Sequence, residues 1–407
     1  MRWQRYSRLA VITLVATGLA ACGQQSTTGS SAAPVSSSNA SIPASKELSH
    51  LQQVVTSAQA DASQTFSPGP AISNMAALKG KKIMALPGTS LIPTCVQDVK
   101  VIQSIGDAAG TPVTIINTSG QVSQWESAID LAIAQHYAAV DFICDDVPSI
   151  IGPEIEKAQS HGVKVFGYGL SMPLTQKNYP GLAGGTMEPI WNDYSTMIDQ
   201  AFVKTGGKPF DMLVISSVGV IGNAADVAML KAQVKQMCGS ACNVTVVDIE
   251  VPDWGTKIQS TVQTQLLNHR NIGVVYPMFS GEYSFVLPAV EASHRSVLVT
   301  GAFGGGTPQI KLQTQSPVNN IIIGDMTSDP VWAAYEFYYQ TMLGLAGQPM
   351  VPLNSTTTPN ILATSANAQK VLSGAAWGDT FVNAYRQAFG LAPLSGSALN
   401  TAATVGS

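Results

Sequence analysis

The chain has 407 residues, of which 21 are Lys or Arg and 25 are Asp or Glu, so 11% carry formal charge against about 25% in an ordinary soluble protein. With 45% hydrophobic residues it can fill a large core, which excludes global disorder. A net charge of −4 without clustered Lys and Arg excludes a phosphate backbone as partner, so no nucleic acid is expected.

At the start of the chain, Arg2, Arg5 and Arg8 precede the apolar run Leu9 to Ala21, a secretory signal too short to be a dependable membrane span. The join Leu19-Ala20-Ala21-Cys22-Gly23 resembles the lipobox of bacterial lipoproteins. That resemblance implies cleavage before Cys22, lipidation of its thiol, and an extracytoplasmic protein anchored to the bacterial cell membrane by lipid. An ordinary signal peptide with an incidental cysteine is the alternative. Removing residues 1–21 takes away three arginines and no acid, which leaves the exported chain at a formal −7. Residues 22–45 hold no charged side chain and little that could be buried, the composition of a flexible tether.

Four cysteines remain, an even number that invites pairing in an oxidising exterior. Cys238 and Cys242 enclose three residues between a helical pattern and a strand, so a local disulfide is expected there. No His or further Cys stands beside them at ligand spacing, so no metal is expected.

Residues 46–66 read as a helix with Leu48, Leu51, Val54, Val55 and Ala58 on one face, broken by Ser67-Pro68-Gly69-Pro70. From residue 81 short apolar runs suited to buried parallel strands recur: Lys82 to Leu86, Val113 to Asn117, Ala139 to Cys144 and Val163 to Gly167. Helical patterns lie between them, the clearest at Trp125 to Gln135 and Ile150 to Ser160. The rhythm repeats with strands at Met212 to Ser216, Val244 to Ile249, Ile272 to Tyr276, Val297 to Thr300 and Asn320 to Gly324. Helices at Ala224 to Met237, Thr256 to Leu267 and Tyr283 to Ala292 separate these. A helix from Pro330 to Leu345, a strand near Asn360 to Ala363 and a helix around Asp379 to Phe389 close the chain. Alternating strands and helices in two successive sets predict an α/β fold with two Rossmann-like lobes, each built on a parallel sheet.

Gly120-Gln121, Trp125-Glu126 opening a helix, Ala138 to Ile143, Asp145 and His161-Gly162-Val163-Lys164-Val165 follow one another in an order similar to the type I periplasmic binding proteins of the ribose-binding kind. The resemblance runs from about residue 80 to about 365. It implies lobes joined by a three-strand hinge, closing on a small molecule that passes to an ABC transporter permease, with no catalysis, no cofactor and a monomeric state. It also implies an N-lobe of residues 79–186 plus 328–347 and a C-lobe of 187–327 plus 348–366. Residues 46–78 form an N-terminal helical extension, and 367–407 a C-terminal one. In this topology Cys95 and Cys144 follow neighbouring strands, which leaves a second disulfide between them open.

Open parallel sheets bind ligands at the carboxyl ends of their strands, where loops and helix N-termini converge. The ligand-binding candidates at those ends are Thr89, Ser90, Asp145, Asp146, Tyr168 and Ser171 in the first lobe. In the second they are Asn223, Trp254, Met278, Phe279, Phe303 and Asp325. For Asp145 and Asp146, contact with ligand and capping of the helix that follows are both open. Trp254, beside Gly255, is expected as an exposed loop aromatic facing ligand, with core packing as its alternative. The arginines that fix a pentose in ribose-type sites are missing; Leu170-Ser171 and Val227 stand near those positions. Aromatic and sulfur-bearing side chains with the acids Asp145, Asp146, Glu282 and Asp325 take their place. Such a lining suits a sugar or polyol stacked on aromatic faces, the favoured expectation. An amine balanced by a carboxylate, or a largely apolar or aromatic ligand, is the alternative. A sensory lipoprotein that signals to a membrane receptor is a further one. No G-x-S-x-G, phosphate-loop or H-E-x-x-H motif is present, so an enzyme is not expected.

Overall fold

The computed structural model of the protein describes residues 44–63, 66–144, 148, 150–170, 177–187, 190–217, 223–302, 306–351 and 358–404. The expected leader, Cys22, residues 22–43 of the expected tether, Asp145, Asp146, Ser171 and Phe303 lie outside the described residues, whereas Ala44 and Ser45, expected in the tether, already belong to a helix.

The chain enters on α1 (Ala44–Ala58), whose buried Leu51 and Val55 face inward. The helix expected to reach residue 66 stops at Ala58 because tertiary partners claim the segment beyond it. The Ala62 N–H donates to the Ala376 carbonyl at 2.9 Å, and Asp61 pairs with Lys370. A short α2 (Met75–Leu78) leads into the first sheet.

That sheet holds β1 (Ile83–Pro87), β2 (Val113–Ile115), β3 (Ala139–Ile143), β4 (Lys164–Leu170) and β5 (Gly184–Met187), all parallel in the order β2-β1-β3-β4-β5. The connections are α3 (Pro93–Ala109), α4 (Val122–Ala134) and α5 (Gly152–Ser160). Every residue of β1 and β3 is buried, as a parallel sheet covered on both faces requires. Met84, Leu86, Val140 and Phe142 join Ile129 of α4 and Ile155 of α5 on one face, while Ile83, Ala85 and Ala139 serve the other.

No apolar run announces β5, because its sequence Gly184-Gly185-Thr186-Met187 answers to close approach rather than to burial of side chains. A Cβ on Gly185 would collide with the Gly167 carbonyl oxygen of β4, and one on Gly184 with the Met350 sulfur.

The second sheet holds β6 (Asp211–Ser216), β7 (Val244–Asp248), β8 (Ile272–Pro277), β9 (Leu298–Ala302), β10 (Ile322–Ser328) and β11 (Asn360–Ala363) in the order β11-β10-β9-β8-β6-β7. All its pairings are parallel except β10 with β11. Its helices are α6 (Ile190–Lys204), α7 (Asn223–Cys238), α8 (Trp254–Asn268), α9 (Tyr283–Ala292) and α10 (Thr307–Leu312). The next helix, α11 (Pro330–Ala346), returns to pack on α3 and β5 of the first lobe, whereas α6 packs on β9 and β10. The chain therefore passes between the lobes three times: between Met187 and Ile190, at Asp329, and between Ala346 and Asn360. Both lobes belong to one compact unit.

The terminal extensions are ordered on this frame. After β11 come α12 (Ala368–Leu372), α13 (Thr380–Ala388) and α14 (Gly396–Thr404). Trp332 of α11 stacks on Phe381 with ring centroids 4.6 Å apart, and Phe66 meets it edge-on at 5.0 Å. Tyr335 stacks on Tyr385 at 5.7 Å, and the Tyr339 hydroxyl donates to the Pro70 carbonyl at 2.5 Å. The helically spaced aromatics of α11 thus hold residues 66–70 and α13. Cys95 is paired with Cys144 and Cys238 with Cys242, at Cα separations of 5.5 and 5.6 Å.

The packing of β5 yields a paired test. Gly185→Ala is expected to lower the unfolding free energy by about 3 kcal/mol, since a backbone carbonyl cannot move aside as a side chain can. Gly255→Ala in α8 meets only Phe285 at ordinary contact distance, 3.8 Å, and serves as control. The control should be neutral or stabilising by about 0.5 kcal/mol. Urea denaturation of the two variants reads both effects.

Candidate functional site

In each sheet the order in which successive strands are added reverses beside the first strand: between β1 and β3 in one, and between β6 and β8 in the other. A crevice opens at such a switch point, at the carboxyl ends of the strands. In the first lobe the Gly88 N–H donates to the Ile143 carbonyl at 2.8 Å, tying the end of β1 to the end of β3. The Thr118 hydroxyl lies 2.7 Å from the Pro87 carbonyl and 2.8 Å from that of Gly88, which also accepts from the Trp125 indole at 3.0 Å. Thr89 is fully buried, and its hydroxyl accepts from the Leu91 N–H at 3.2 Å, so it shapes the turn. Ser90 is half-buried and lies 3.4 Å from the exposed Asn117 side chain at the rim.

Tyr168 is not a strand-end residue. β4 continues to Leu170, three residues beyond the expected end, and Tyr168 shares the sheet face of Phe166. Its ring meets Phe337 of α11 edge-on at 5.7 Å.

In the second lobe Ser216 and Ser217 bring Asn223 and Trp254 together. Asn223, at the start of α7, accepts from the Ser216 hydroxyl at 3.1 Å and donates to the Ser217 carbonyl at 2.9 Å. Trp254 donates its indole N–H to the Ser217 hydroxyl at 2.9 Å, and that hydroxyl in turn donates to the Ile249 carbonyl at 2.9 Å. The Trp254 ring lies 5.8 Å from that of Phe279. The expected exposed loop aromatic is instead the first residue of α8 and only 2% exposed, because the turn Val251–Asp253 runs directly into the helix and tucks the indole under it. Met278 is fully buried, its N–H held by the Ile215 carbonyl at 3.0 Å.

Asp325 sits within β10, which runs on to Ser328, yet it is level with Gly301 near the end of β9. The Ser280 hydroxyl donates to its carboxylate at 2.5 Å. Burial pushes Asp325 well above the usual carboxyl range, with the Ser280 bond acting against that rise and the nearby Asp193 adding to it. Asp193 of α6, raised by burial to about 7, accepts from the Asn360 amide at 2.6 Å. The Tyr276 hydroxyl donates to the Tyr194 carbonyl at 3.1 Å. Burial raises the phenols of Tyr194, Tyr276 and Tyr283 well above their ordinary value, and neighbouring acids add to each rise. Sequence reasoning missed Asp193 and Tyr194 because they come from the helix that enters the second lobe, not from a strand end.

The lobes meet at this level. A Cβ on Gly281 would stand 3.7 Å from both Ile92 of the first lobe and Trp254 of the second, and one on Gly120 would stand 3.7 Å from Val251. The carboxyl edges of the two sheets therefore approach one another here. Among the described residues no group of His, Cys, Asp and Glu is placed to hold a metal ion, and no helix is long and apolar enough to cross a membrane.

No protein-family model matches this sequence, and no curated protein sequence matches it. Solved structures do resemble the fold. A sugar ABC transporter protein from Yersinia enterocolitica subsp. enterocolitica 8081 has a TM-score of 0.62 at 14% identity, covering 79% of this chain and 98% of its own. An ABC transporter solute binding protein from Agrobacterium vitis with bound allitol gives 0.61 at 16%, covering 72% and 98%. One from Mycobacterium smegmatis with bound glycerol gives 0.58 at 15%, covering 71% and 96%. The fold is that of the type I periplasmic binding proteins.

The buried acids make stability depend on pH. Asp141, in the middle of β3, is raised by burial to about 8, against the pull of its bond from the Thr341 hydroxyl at 3.1 Å. Asp329 is raised to about 7. The folded chain thus holds protons that the unfolded chain releases above about pH 4. That contribution is complete below the unfolded value and lost as pH rises through about 7 to 8. The melting temperature at about pH 5.5 is expected to exceed that at about pH 8.5 by 2 °C or more, and Asp141→Asn should flatten part of the slope. A melting temperature that rises over the same interval would contradict this.

Proposed function

We propose that this chain is a substrate-binding protein of an ABC importer, held outside the cytoplasmic membrane by a lipid on Cys22. It captures a sugar- or polyol-like molecule between its lobes and hands it to a permease, without catalysis. The carrying observation is the pair of parallel sheets whose switch points face one another across three crossovers, with Ser90 on one side and Trp254, Phe279 and Asp325 on the other. The allitol-bound and glycerol-bound relatives support a polyhydroxylated ligand. We assign ligand contact to Ser90, Met278, Phe279 and Asp325, and to Asp145, Asp146, Ser171 and Phe303 outside the described residues. Thr89, Asn223 and Trp254 shape and support the edges. The site works by enclosure: each lobe supplies half of the contacts, so binding energy is complete only when the hinge closes.

Thermal shift against sugars and polyols tests the ligand class. A ligand at about a hundred times its Kd adds about 2.7 kcal/mol to stability, which corresponds to a rise of several degrees in a chain of this size. Absence of a shift from any small molecule in a broad panel would sink the proposal. The anchor has a separate test: wild-type protein should partition with membranes, whereas Cys22→Ser should appear in the soluble extracytoplasmic fraction.

A further inference from the structure

Glu282 is the one buried carboxyl among the described residues neither of whose oxygens makes a well-formed hydrogen bond, the Phe279 backbone alone acting on it. Other buried acids are matched at least once: Asp141 by Thr341, Asp193 by Asn360, Asp329 by two backbone N–H groups. Asp325 has a partner for one oxygen only. Leaving a buried carboxyl unmatched is costly, and an apolar side chain of similar size would avoid that cost. Glu282 therefore calls for a stronger partner than the Phe279 backbone.

Its place says what kind. Glu282 ends the turn Ser280–Glu282 that follows β8, and that turn abuts the first lobe at Ile92. Glu282 acts on Tyr194 of α6, and Tyr194 belongs to a phenolic and acidic cluster with Asp193 of α6, Asp226 of α7, Tyr276 of β8, Tyr283 of α9 and Asp325 of β10. None of the three ion pairs among the described residues reaches this cluster, and no Lys, Arg or His acts on Glu282 or Asp325. Beside it the Trp254 and Phe279 rings supply π faces of the kind that attract a cation. Excess buried acid with aromatic faces and no internal cation is complementary to a positive ligand.

We propose that the ligand is a polyhydroxylated amine, an amino sugar or aminopolyol, whose ammonium pairs with Glu282 while Asp325 accepts from an adjacent ligand N–H or O–H. This rests on the reading of the interlobe crevice as the ligand site. Burial keeps the free Glu282 carboxyl protonated well above the ordinary range, against a smaller opposing pull from the Phe279 backbone. An ammonium that pairs with it thus displaces the carboxyl proton to solvent, whereas a neutral polyol displaces none.

Calorimetric titration of the purified protein near neutral pH separates the cases. The probes are three pairs: 1-amino-1-deoxysorbitol with sorbitol, glucosamine with glucose, and galactosamine with galactose. At least one amine is expected to bind ten times more tightly than its neutral partner, about 1.4 kcal/mol. Its binding heat, compared between buffers of different ionisation enthalpy, should show release of about one proton per ligand. Glu282→Gln should bring the ratio within such a pair close to unity. Should that variant fail to fold, proton release by the wild-type protein decides alone. Equal binding of both members in every pair, a preference that survives Glu282→Gln, or amine binding without proton release would overturn the assignment. Binding of neutral compounds alone would overturn it and leave the crevice as the ligand site. Binding of none of the six would also overturn it, and the broader thermal-shift panel then tests the crevice independently.

Discussion

The turn Ser328-Asp329-Pro330 is the constraint on which the rest of the molecule hangs. Up to Ser328 the chain is a strand of the second sheet; from Pro330 it is the helix that covers the first. One Asp329 oxygen accepts from the Val331 and Trp332 N–H groups at 2.8 Å each, and Pro330 lacks the N–H that would otherwise need a partner there. The change from strand to helix is thus completed within one residue. Because α11 starts at this point and in this direction, Thr341 reaches Asp141 in the central strand β3, and the Lys164 ammonium donates to the Gly344 carbonyl at 2.6 Å.

The same helix explains the terminal extensions. Its outer side carries Trp332, Tyr335, Tyr338 and Tyr339, too much apolar ring surface to leave in water. Phe66, Phe381, Tyr385 and Phe389 cover it. α1 lies on α6 and α12 lies on α10, both in the second lobe, while α13 lies on α11. The helices that flank the two sheets are therefore shared between the lobes.

The crevice has a chemical character of its own. A chain with few charges has placed several carboxyls where water is excluded, and none of those described there is opposed by arginine. In a low-dielectric setting such groups hold their protons or find a positive partner. The scarcity of charge noted in composition thus takes a specific form at the site: hydroxyls, phenols and carboxyls without guanidinium.

The local patterns of the sequence determined much of the architecture. Ile83–Pro87 is apolar throughout and Ala139–Ile143 is apolar except for Asp141, runs that suit a sheet covered on both faces, and their alternation with amphipathic helices specifies parallel order. Residues at the carboxyl ends followed from that order: Asn223 and Trp254 share Ser217, Trp254 meets Phe279, and Asp325 accepts from Ser280 in the next turn. What local pattern could not carry depends on distant partners. The strand Gly184–Met187 exists because Gly167 and Met350 leave no room for a side chain, so its information lies in other segments. Tyr168 turned toward α11 because β4 is long enough to keep it in the sheet, and Trp254 sank into the core because a single turn joins it to α8. Whether a carboxyl such as Glu282 is solvated or stranded is likewise decided only when helices from other parts of the chain close over it, since burial is a property of the assembled fold and not of the residue.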